Sequence, residues 1–203
     1  GRTELAMSIF GQSYGTNITG TLTLSGKEVH LRTPQEAIKN KLAYVTEDRK
    51  GNGLVLSNSI KINTSLANLD SISNHKVIDK DKEYQVAEEY RGKLKTKCPT
   101  VEQNVGNLSG GNQQKLVLGR EVDVGSRLLV FNQPTRGLDM GAVDRIHHVI
   151  LAEKEKKKAV LLISTELTEI FEMCDRIAVM HNGSFMGIYR NGELTTEQIG
   201  LLM

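Results

Sequence analysis

The second half of the chain alternates between short apolar runs and stretches of helical periodicity, and this alternation constrains the fold most strongly. Strands are predicted at 127–131, 159–164 and 176–180. Helices are predicted to start at Ser109, to cover 141–157 and to cover 166–174. Strands that alternate with helices at this spacing imply parallel βαβ units. We therefore expect an α/β fold with a parallel sheet at its centre.

The first half reads less regularly. It predicts an opening helix in GRTELAMSIFG, a β-hairpin over 19–31 that turns at Ser25-Gly26, a helix that begins at Pro34, a short strand in LAYVTED and a loop over 51–56. Helical periodicity from Ser59 to about Lys97, broken by the polar SISNHK, predicts a helical insert at about 59–108. The tail predicts a turn at Asn182-Gly183, a strand, and a helix capped by Thr195 or Thr196. We expect one domain over 1–203.

Composition bounds the function. A net charge of +2 with 25% charged residues gives nucleic-acid binding no support. Cys98 and Cys174 lie far apart and have no partner at metal-ligand spacing, so we expect neither a zinc site nor a disulfide, in a reducing, cytoplasmic setting. No apolar run approaches the roughly 18 to 20 residues that span a bilayer. Any link to a membrane is therefore expected to run through another protein.

The strand LLVFN runs directly into QPTRGLD, and the residues at its end are neutral. A buried strand that ends at a phosphate-handling loop usually delivers carboxylates to a metal and a water. Here Asn132 and Gln133 have the shape of those acids without the charge. Gln133 can orient a water but cannot take its proton, and general-base assistance is worth about 10² to 10⁴ in rate.

The most specific segment is LSGGNQQK, residues 108–115. Ser109 is placed to cap the helix that follows, and Gly110 and Gly111 let backbone approach a ligand closely. Backbone N–H groups at a helix start, aided by the helix dipole, bind phosphate. The segment therefore predicts a phosphate-binding helix start.

LSGGNQQK resembles the signature motif of ABC-transporter ATPases, in the form found in the tandem-ATPase subunits of sugar and nucleoside importers, and the similarity extends over the whole chain. The resemblance implies a P-loop NTPase-type parallel sheet core with a small antiparallel β part and a helical subdomain, which would be the insert at 59–108. Gly1, Arg2 and Thr3 resemble the end of the phosphate-binding loop, with Arg2 in place of Lys. We accordingly expect an N-terminally truncated fragment, which resembles the C-terminal ATPase domain.

The resemblance also assigns roles to single residues. Glu47 takes a position where a Gln usually lies near the metal and the water, and Thr165 takes that of a His that senses the γ-phosphate. Asp139 matches the loop that crosses between two ATPase domains. The implied ligands are ATP and Mg²⁺. The residues implied in binding the nucleotide are Gly1, Arg2, Thr3, Ser109, Gly110, Gly111, Gln113 and Asp139, and those implied at the metal are Thr3 and Glu47.

ABC ATPases work as head-to-tail pairs, so the resemblance implies an unequal pair of sites. An intact signature would complete the partner's site, while Asn132, Gln133 and Thr165 would line a site that binds ATP and hydrolyses it poorly. The implied partners are the N-terminal ATPase domain of the same subunit, membrane permeases and, indirectly, a substrate-binding lipoprotein, at the cytoplasmic face of a bacterial membrane.

The sequence leaves the cargo and the activity open. The neutral residue and Gln before PTRGLD favour a nucleoside importer, and a monosaccharide importer of the ribose or galactose type is the alternative. A nucleotide-binding module that never hydrolyses ATP is a second alternative. The five histidines, among them His147, lie away from these motifs and are expected at the surface.

Overall fold

The structure is a computed structural model, and it describes residues 1–12, 15 and 17–203. The helices are α1 (Arg2–Ile9), α2 (Pro34–Lys39), α3 (Ile60–Ser65), α4 (Lys80–Lys93), α5 (Gly110–Asp123), α6 (Met140–Glu155), α7 (Leu167–Met173) and α8 (Thr196–Leu202). The strands are β1 (Leu22–Leu24), β2 (Lys27–Val29), β3 (Leu42–Val45), β4 (Ser73–Asn74), β5 (Val77–Ile78), β6 (Leu128–Asn132), β7 (Ala159–Ile163), β8 (Arg176–His181) and β9 (Ser184–Arg190).

A parallel sheet in the order β3-β6-β7 forms the centre of the molecule, as the alternating pattern predicted. The central strand β6 is the most deeply buried, and Phe131 and Asn132 are both fully inaccessible. The main apolar cluster joins this sheet to α5 and α6 through residues such as Val117 and Ile146. The α/β fold with a parallel core is therefore confirmed.

The strand β8 does not join this sheet, so counting it among the parallel units was wrong. It pairs antiparallel with β9, and the two strands are joined through Asn182 and Gly183, both at positive φ. Such a two-residue turn matches the twist of a hairpin, which makes the next strand in sequence the nearest partner. A groove of about 770 Å³ is lined by side chains of both β7 and β8.

The segment 59–108 contains α3 and α4 together with a small hairpin that the sequence did not predict. The polar SISNHK, predicted only as a break between helices, includes β4, which pairs with β5. His75 and Lys76 take positive φ at the turn, as the tight turns of two-residue hairpins require. Two 3₁₀ turns, over 69–72 and 105–107, complete the segment.

Local capping fixes several helix starts. Thr33 accepts a hydrogen bond from the Glu36 backbone N–H, and Pro34 occupies the first turn of α2. Thr195, and not Thr196, caps α8 in a capping box with Gln198. The predicted loop at 51–56 begins inside a π-helical turn over Arg49–Gly53.

The hairpin of β1 and β2 turns at Ser25 and Gly26, as predicted. Cys98 and Cys174 are free, and burial raises the pKa of both thiols. Within the described part of the chain, no helix is both long and apolar enough to cross a membrane.

Candidate functional site

Five residues from four parts of the chain meet at the carboxyl end of β6, and we call them the strand-end cluster: Thr3, Glu47, Asn132, Gln133 and Thr165. Thr3 lies in the first turn of α1, and Glu47 follows β3. Asn132 ends β6, Gln133 follows it, and Thr165 follows β7. Because neighbouring parallel strands end at one edge of the sheet, residues distant in sequence come together here.

A chain of hydrogen bonds runs through the buried side of the cluster. The Asn132 amide Nδ2 donates to Thr3 Oγ1 at 3.3 Å and to the Tyr44 hydroxyl at 3.2 Å. The Thr3 hydroxyl in turn donates to Glu47 Oε1 at 2.5 Å. The other Asn132 atom, Oδ1, is buried and has no hydrogen-bond partner among the described residues. A buried acceptor without a partner costs free energy, so this atom marks a place where a ligand is favourable.

Gln133 is held by backbone and side-chain contacts with the neighbouring strand. Its backbone N–H donates to the Ile163 carbonyl at 2.8 Å, and its Nε2 donates to Thr165 Oγ1 at 3.3 Å. Gln133 has a φ of 51°, a left-handed conformation that is uncommon for residues other than glycine. Such backbone conformations concentrate at ligand sites.

Glu47 also faces a positive charge from the loop that follows the cluster. Arg136 Nη1 lies 3.5 Å from Glu47 Oε2, and the arginine side chain is 68% exposed. Such an exposed pair contributes about 0 to 1 kcal/mol to stability. The contact places a positive charge beside the Glu47 carboxylate.

The segment 108–115, which we call the signature segment, begins α5, and its first turn is open. Ser109 occupies the N-cap position, but its hydroxyl makes no capping bond, contrary to the prediction. The reason is that Ser109 Oγ accepts a hydrogen bond from Asn112 Nδ2 at 3.1 Å instead. The first backbone N–H groups of a helix have no intrahelical partner. Those of α5 are therefore available to an anion.

The remaining nucleotide candidates, Gly111 and Gln113 in this segment and Asp139 beside it, differ in exposure. Gly111 lies against the start of α6, since a Cβ added there would be 3.6 Å from Asp139 Oδ2. Asp139 itself caps α6 by accepting a hydrogen bond from the Ala142 N–H at 2.9 Å. Gln113, by contrast, is buried and donates to the Val105 carbonyl at 3.2 Å. The Gln113 side chain therefore holds the segment in place and does not face a ligand.

Arg49 is a neighbour of the signature segment that the sequence analysis missed. A Cβ added at Gly110 would lie 2.7 Å from Arg49 Nη2, so the guanidinium lies beside the start of α5. Arg49 Nε is buried without a hydrogen-bond partner within the described residues. No local pattern links residues 49 and 110, because the contact depends on how the π-helical turn packs against α5.

Two of the predicted phosphate-loop residues lie outside the strand-end cluster. Gly1 occupies the N-cap position of α1. Arg2 is exposed, and its charge lies near Glu4. Thr3 is thus the member of GRT that the structure brings to the cluster.

A buried carboxylate links the loop after Gln133 to two helices. Glu169 Oε1 accepts a hydrogen bond from Thr135 Oγ1 at 3.0 Å and lies 2.9 Å from His147 Nε2. Glu169 is only 3% exposed and the His147 side chain 17% exposed. The expectation that His147 is a surface residue was therefore wrong, because α6 turns it toward α7.

Charged side chains on α5 also hold this helix in place. Arg120 Nη1 donates to the Gly53 carbonyl at 2.6 Å and pairs with Glu121 at 2.8 Å. Burial raises the pKa of Glu121, and burial lowers the pKa of Lys115, which donates to the Lys95 carbonyl.

Within the described residues, no group of three or more His, Cys, Asp or Glu side chains is placed to hold a metal. A metal at the strand-end cluster would therefore need hydroxyl, amide or phosphate oxygens in addition to the Glu47 carboxylate.

The chain is similar to known proteins of one family. The ABC transporter family model matches residues 1–136. The chain is 46% identical over its whole length to the L-arabinose transport ATP-binding protein AraG of Geobacillus stearothermophilus. It is 41% identical over 98% of its length to the xylose import ATP-binding protein XylG of Thermoanaerobacter pseudethanolicus. Over 98% of its length it is also 40% identical to the ribose import ATP-binding protein RbsA of Clostridium tetani.

Solved structures share the fold at low sequence identity. A nucleotide-free ATP-binding cassette from an ABC transporter has a TM-score of 0.76 and 19% identity, over 98% of this chain and 79% of that one. A dimeric post-hydrolysis state of the ATP-binding cassette MJ0796, bound to ADP and Pi, has a TM-score of 0.71 and 15% identity, over 87% of this chain and 75% of that one.

The fold, together with the motifs LSGGNQQK and QPTRGLD, defines an ATP-binding cassette. This chain belongs to the ABC transporter family, and it is similar to the ATP-binding proteins AraG, XylG and RbsA. The chain spans about 40% of the length of these curated relatives.

Proposed function

We propose that this chain is an energy-coupling ATP-binding domain of a bacterial monosaccharide importer. Its signature segment completes the nucleotide site of a second ATPase domain in the same subunit, while its own site binds ATP and hydrolyses it poorly. The observation that carries this proposal is the pairing of an open helix start at Ser109–Gly111 with an uncharged strand end at Asn132 and Gln133.

The names of the relatives support the proposed cargo. AraG, XylG and RbsA are named for arabinose, xylose and ribose. These names favour the monosaccharide alternative over the nucleoside importer that the residues before PTRGLD suggested. The neutral pair Asn132-Gln133 alone does not decide the cargo, because cargo is bound by other subunits.

The chemistry of the two sites differs in charge. Bound at the strand-end cluster, ATP would meet a hydroxyl, an amide and one carboxylate, from Thr3, Asn132 and Glu47. Mg²⁺ would neutralise phosphate charge there, and these three residues carry the oxygens that could hold it. Gln133 can orient a water, but it cannot accept a proton as a carboxylate would. Thr165 likewise brings no base to the site.

The signature segment is suited to binding a phosphate and not to catalysing its hydrolysis. The N–H groups at the start of α5 and the positive end of its dipole bind an anion without chemistry of their own. Arg49, beside Gly110, adds positive charge to that surface. The segment is thus equipped to receive a phosphate held by another domain.

A partner surface lies on the proposed helical subdomain at 59–108. Exposed apolar side chains concentrate over residues 62–84, among them Ile62, Leu69, Val77, Ile78 and Tyr84. Clusters of exposed apolar side chains mark interaction sites. We assign this surface to the membrane permease, through which the subunit is held at the cytoplasmic face of the membrane. The substrate-binding lipoprotein would act on the permease from the other side.

Uptake measurements test the proposal. Cells that carry the full-length subunit, either unchanged or with Ser109→Arg, are supplied with labelled arabinose, xylose, ribose or uridine. We expect Ser109→Arg to abolish uptake of one monosaccharide and to leave uridine uptake unchanged. Loss of uridine uptake alone would favour the nucleoside importer, and unchanged uptake of all four would contradict the proposal.

A module that binds nucleotide and never hydrolyses it remains the competing function. The two differ in the ATP turnover of the purified full-length subunit. Energy coupling requires turnover at the partner's site, whereas a purely structural module would show none at either site.

A further inference from the structure

The loop over residues 133–139, which connects β6 to α6, is attached to the start of α7 at two points. Gln133 Nε2 donates to Thr165 Oγ1 at 3.3 Å, and Thr165 lies just before α7. Thr135 Oγ1 donates to Glu169 Oε1 at 3.0 Å, and Glu169 lies in the first turn of α7. The position of the loop therefore depends on the position of this helix.

The same carboxylate oxygen also joins the loop to α6. Glu169 Oε1 lies 2.9 Å from Nε2 of His147 on α6. The Thr135 hydroxyl already donates its single proton to this oxygen, so the His147 Nε2–H is the second donor. Thr135 and Glu169 are both buried, which keeps water from competing for these bonds. One oxygen atom thus connects the loop, α6 and α7.

The far end of the loop lies against the signature segment. Asp139 ends the loop and caps α6 through the Ala142 N–H at 2.9 Å. A Cβ added at Gly111 would lie 3.6 Å from Asp139 Oδ2 and 3.4 Å from the Ala142 Cβ. His147 lies about two turns further along the same helix. A shift of α6 relative to α7 would therefore move Asp139 against Gly111.

Stability gives little reason to bury an acid at this place. Glu169 Oε2 is buried and has no hydrogen-bond partner among the described residues, and a buried polar atom without a partner costs free energy. Apolar side chains of similar volume in place of a buried ionic group often leave a protein equally stable. A fully formed bond to each of two donors does, however, specify one arrangement of the elements that carry them.

We propose that Glu169 is a positioning residue for hydrolysis at the partner's site. Through Thr135 and His147 it fixes the loop and α6 on α7. Asp139 and the signature segment then meet the partner domain in one geometry. This inference rests on the proposed function, since it requires the signature segment to complete the partner's site. None of the three bonded side chains needs to touch nucleotide, because misplacing a catalytic group by about 1 Å can itself cost about 10² in rate.

Paired substitutions at Thr135 test this role in the full-length subunit. The kcat and KM for ATP are measured together with the nucleotide bound per subunit. Thr135→Val removes the hydroxyl and keeps the shape, whereas Thr135→Ser keeps the hydroxyl. We expect Thr135→Val to lower kcat by about tenfold with KM within about threefold, and Thr135→Ser to retain kcat within about threefold. Thr168→Val, at an exposed position beside Glu169 on α7, is the matched control and should change neither constant.

A second pair of variants acts on the other donor. His147→Gln keeps an N–H donor on a side chain of similar reach, and His147→Leu removes the donor. We expect His147→Leu to lower kcat by about fivefold and His147→Gln to change it by less than about twofold. This pair decides the question if thermal unfolding shows that Thr135→Val does not fold.

The outcomes separate positioning from a purely structural role. An unchanged kcat in folded Thr135→Val would overturn the inference, and so would a loss of kcat that Thr135→Ser shares in full. A fall in kcat that only matches a fall in nucleotide bound per subunit would also overturn it, because fewer folded molecules would then explain the loss.

Ser109→Arg, measured in the same assay, separates this inference from the proposed function. If Ser109→Arg leaves turnover unchanged, or if the unchanged subunit has no turnover, the proposed function fails and this inference with it. If Ser109→Arg lowers turnover while Thr135→Val and His147→Leu do not, this inference fails alone.

Discussion

The strand-end cluster and the signature segment differ in how their polar groups are engaged. In the cluster, Asn132, Thr3 and Glu47 bond to one another around a buried strand end. In the signature segment, the Ser109 side chain turns to Asn112 and leaves the start of α5 uncapped. One region is organised around its own side chains and the other presents backbone to a ligand. The loss of acids at the strand-end cluster therefore need not impair phosphate binding by the signature segment.

Replacing Ser109 by Arg gives the largest expected effect, because it fills the open helix start with a bulky cation. Removing a single group that stabilises transition-state charge costs about 10² to 10³ in rate, and we expect the ATP turnover of the full-length subunit to fall by at least the lower figure. Ser184→Arg, on exposed β9, is the control and should leave turnover unchanged. Wild-type turnover in Ser109→Arg would show that the two regions do not divide the work as proposed.

Glu169 holds the loop that follows Gln133 through its bond with Thr135. Removing that carboxylate tests how much this loop, which leads from the strand-end cluster toward the signature segment, contributes to stability. Glu169→Ala leaves Thr135 and His147 without their buried acceptor. We expect the free energy of unfolding in urea to drop by about 2 kcal/mol. Glu169→Gln keeps one acceptor oxygen and should lose less, while the exposed Glu172→Ala should lose almost nothing. Equal stability of Glu169→Ala and Glu172→Ala would remove Glu169 from the account.

Gln133→Glu tests whether the missing base limits the strand-end cluster. In a Ser109→Arg background the partner's site is blocked, so remaining hydrolysis reports on this cluster. A general base is worth about 10² to 10⁴, but Asn132 and Thr165 stay neutral, so we expect a gain of only about tenfold. Gln35→Glu adds the same charge at an exposed position on α2 and should give no gain. No gain in either variant would mean that the cluster lacks more than a base.

The smallest effect concerns the buried Glu121 that helps to hold α5. Burial raises the pKa of this carboxyl in the folded state. A raised folded pKa means that the folded state binds the proton more tightly, so its contribution to stability is complete below the unfolded pKa and is lost as pH rises through the folded pKa. Glu121→Gln should therefore flatten the decline in unfolding free energy as pH rises above about 4.3. The exposed Glu155→Gln should keep the wild-type slope, and an unchanged slope in Glu121→Gln would show that this carboxyl does not set it.

Sequence periodicity was sufficient to predict the central parallel strands but not the pairing of β8. The runs around 128–132 and 159–163 predict buried parallel strands, and β6 and β7 are such strands. The run at 176–180 has the same character, yet its partner is β9, because apolar pattern reports burial and not which strand lies alongside. The turn at Asn182-Gly183 carried that information.

Local motifs identified only part of the site, and the family resemblance added Thr3, Glu47 and Thr165. Motifs identified Ser109, Asn132 and Gln133 because each lies in a distinctive short segment. The bond from Thr3 to Glu47 spans 44 positions and that from Asn132 to Thr3 spans 129, so no spacing rule reaches them. His147 was misplaced for the same reason, since its partner Glu169 lies on another helix.

One measurement tests the division of labour most directly. The full-length subunit is loaded with two equivalents of ATP labelled on its α-phosphate and is allowed a single turnover, and the bound nucleotides are separated and counted. If Ser109–Gly111 completes a competent partner site while Asn132 and Gln133 line a poor one, bound ADP and unhydrolysed ATP will be recovered in equal amounts. Complete conversion of both bound nucleotides to ADP at one rate would contradict the account.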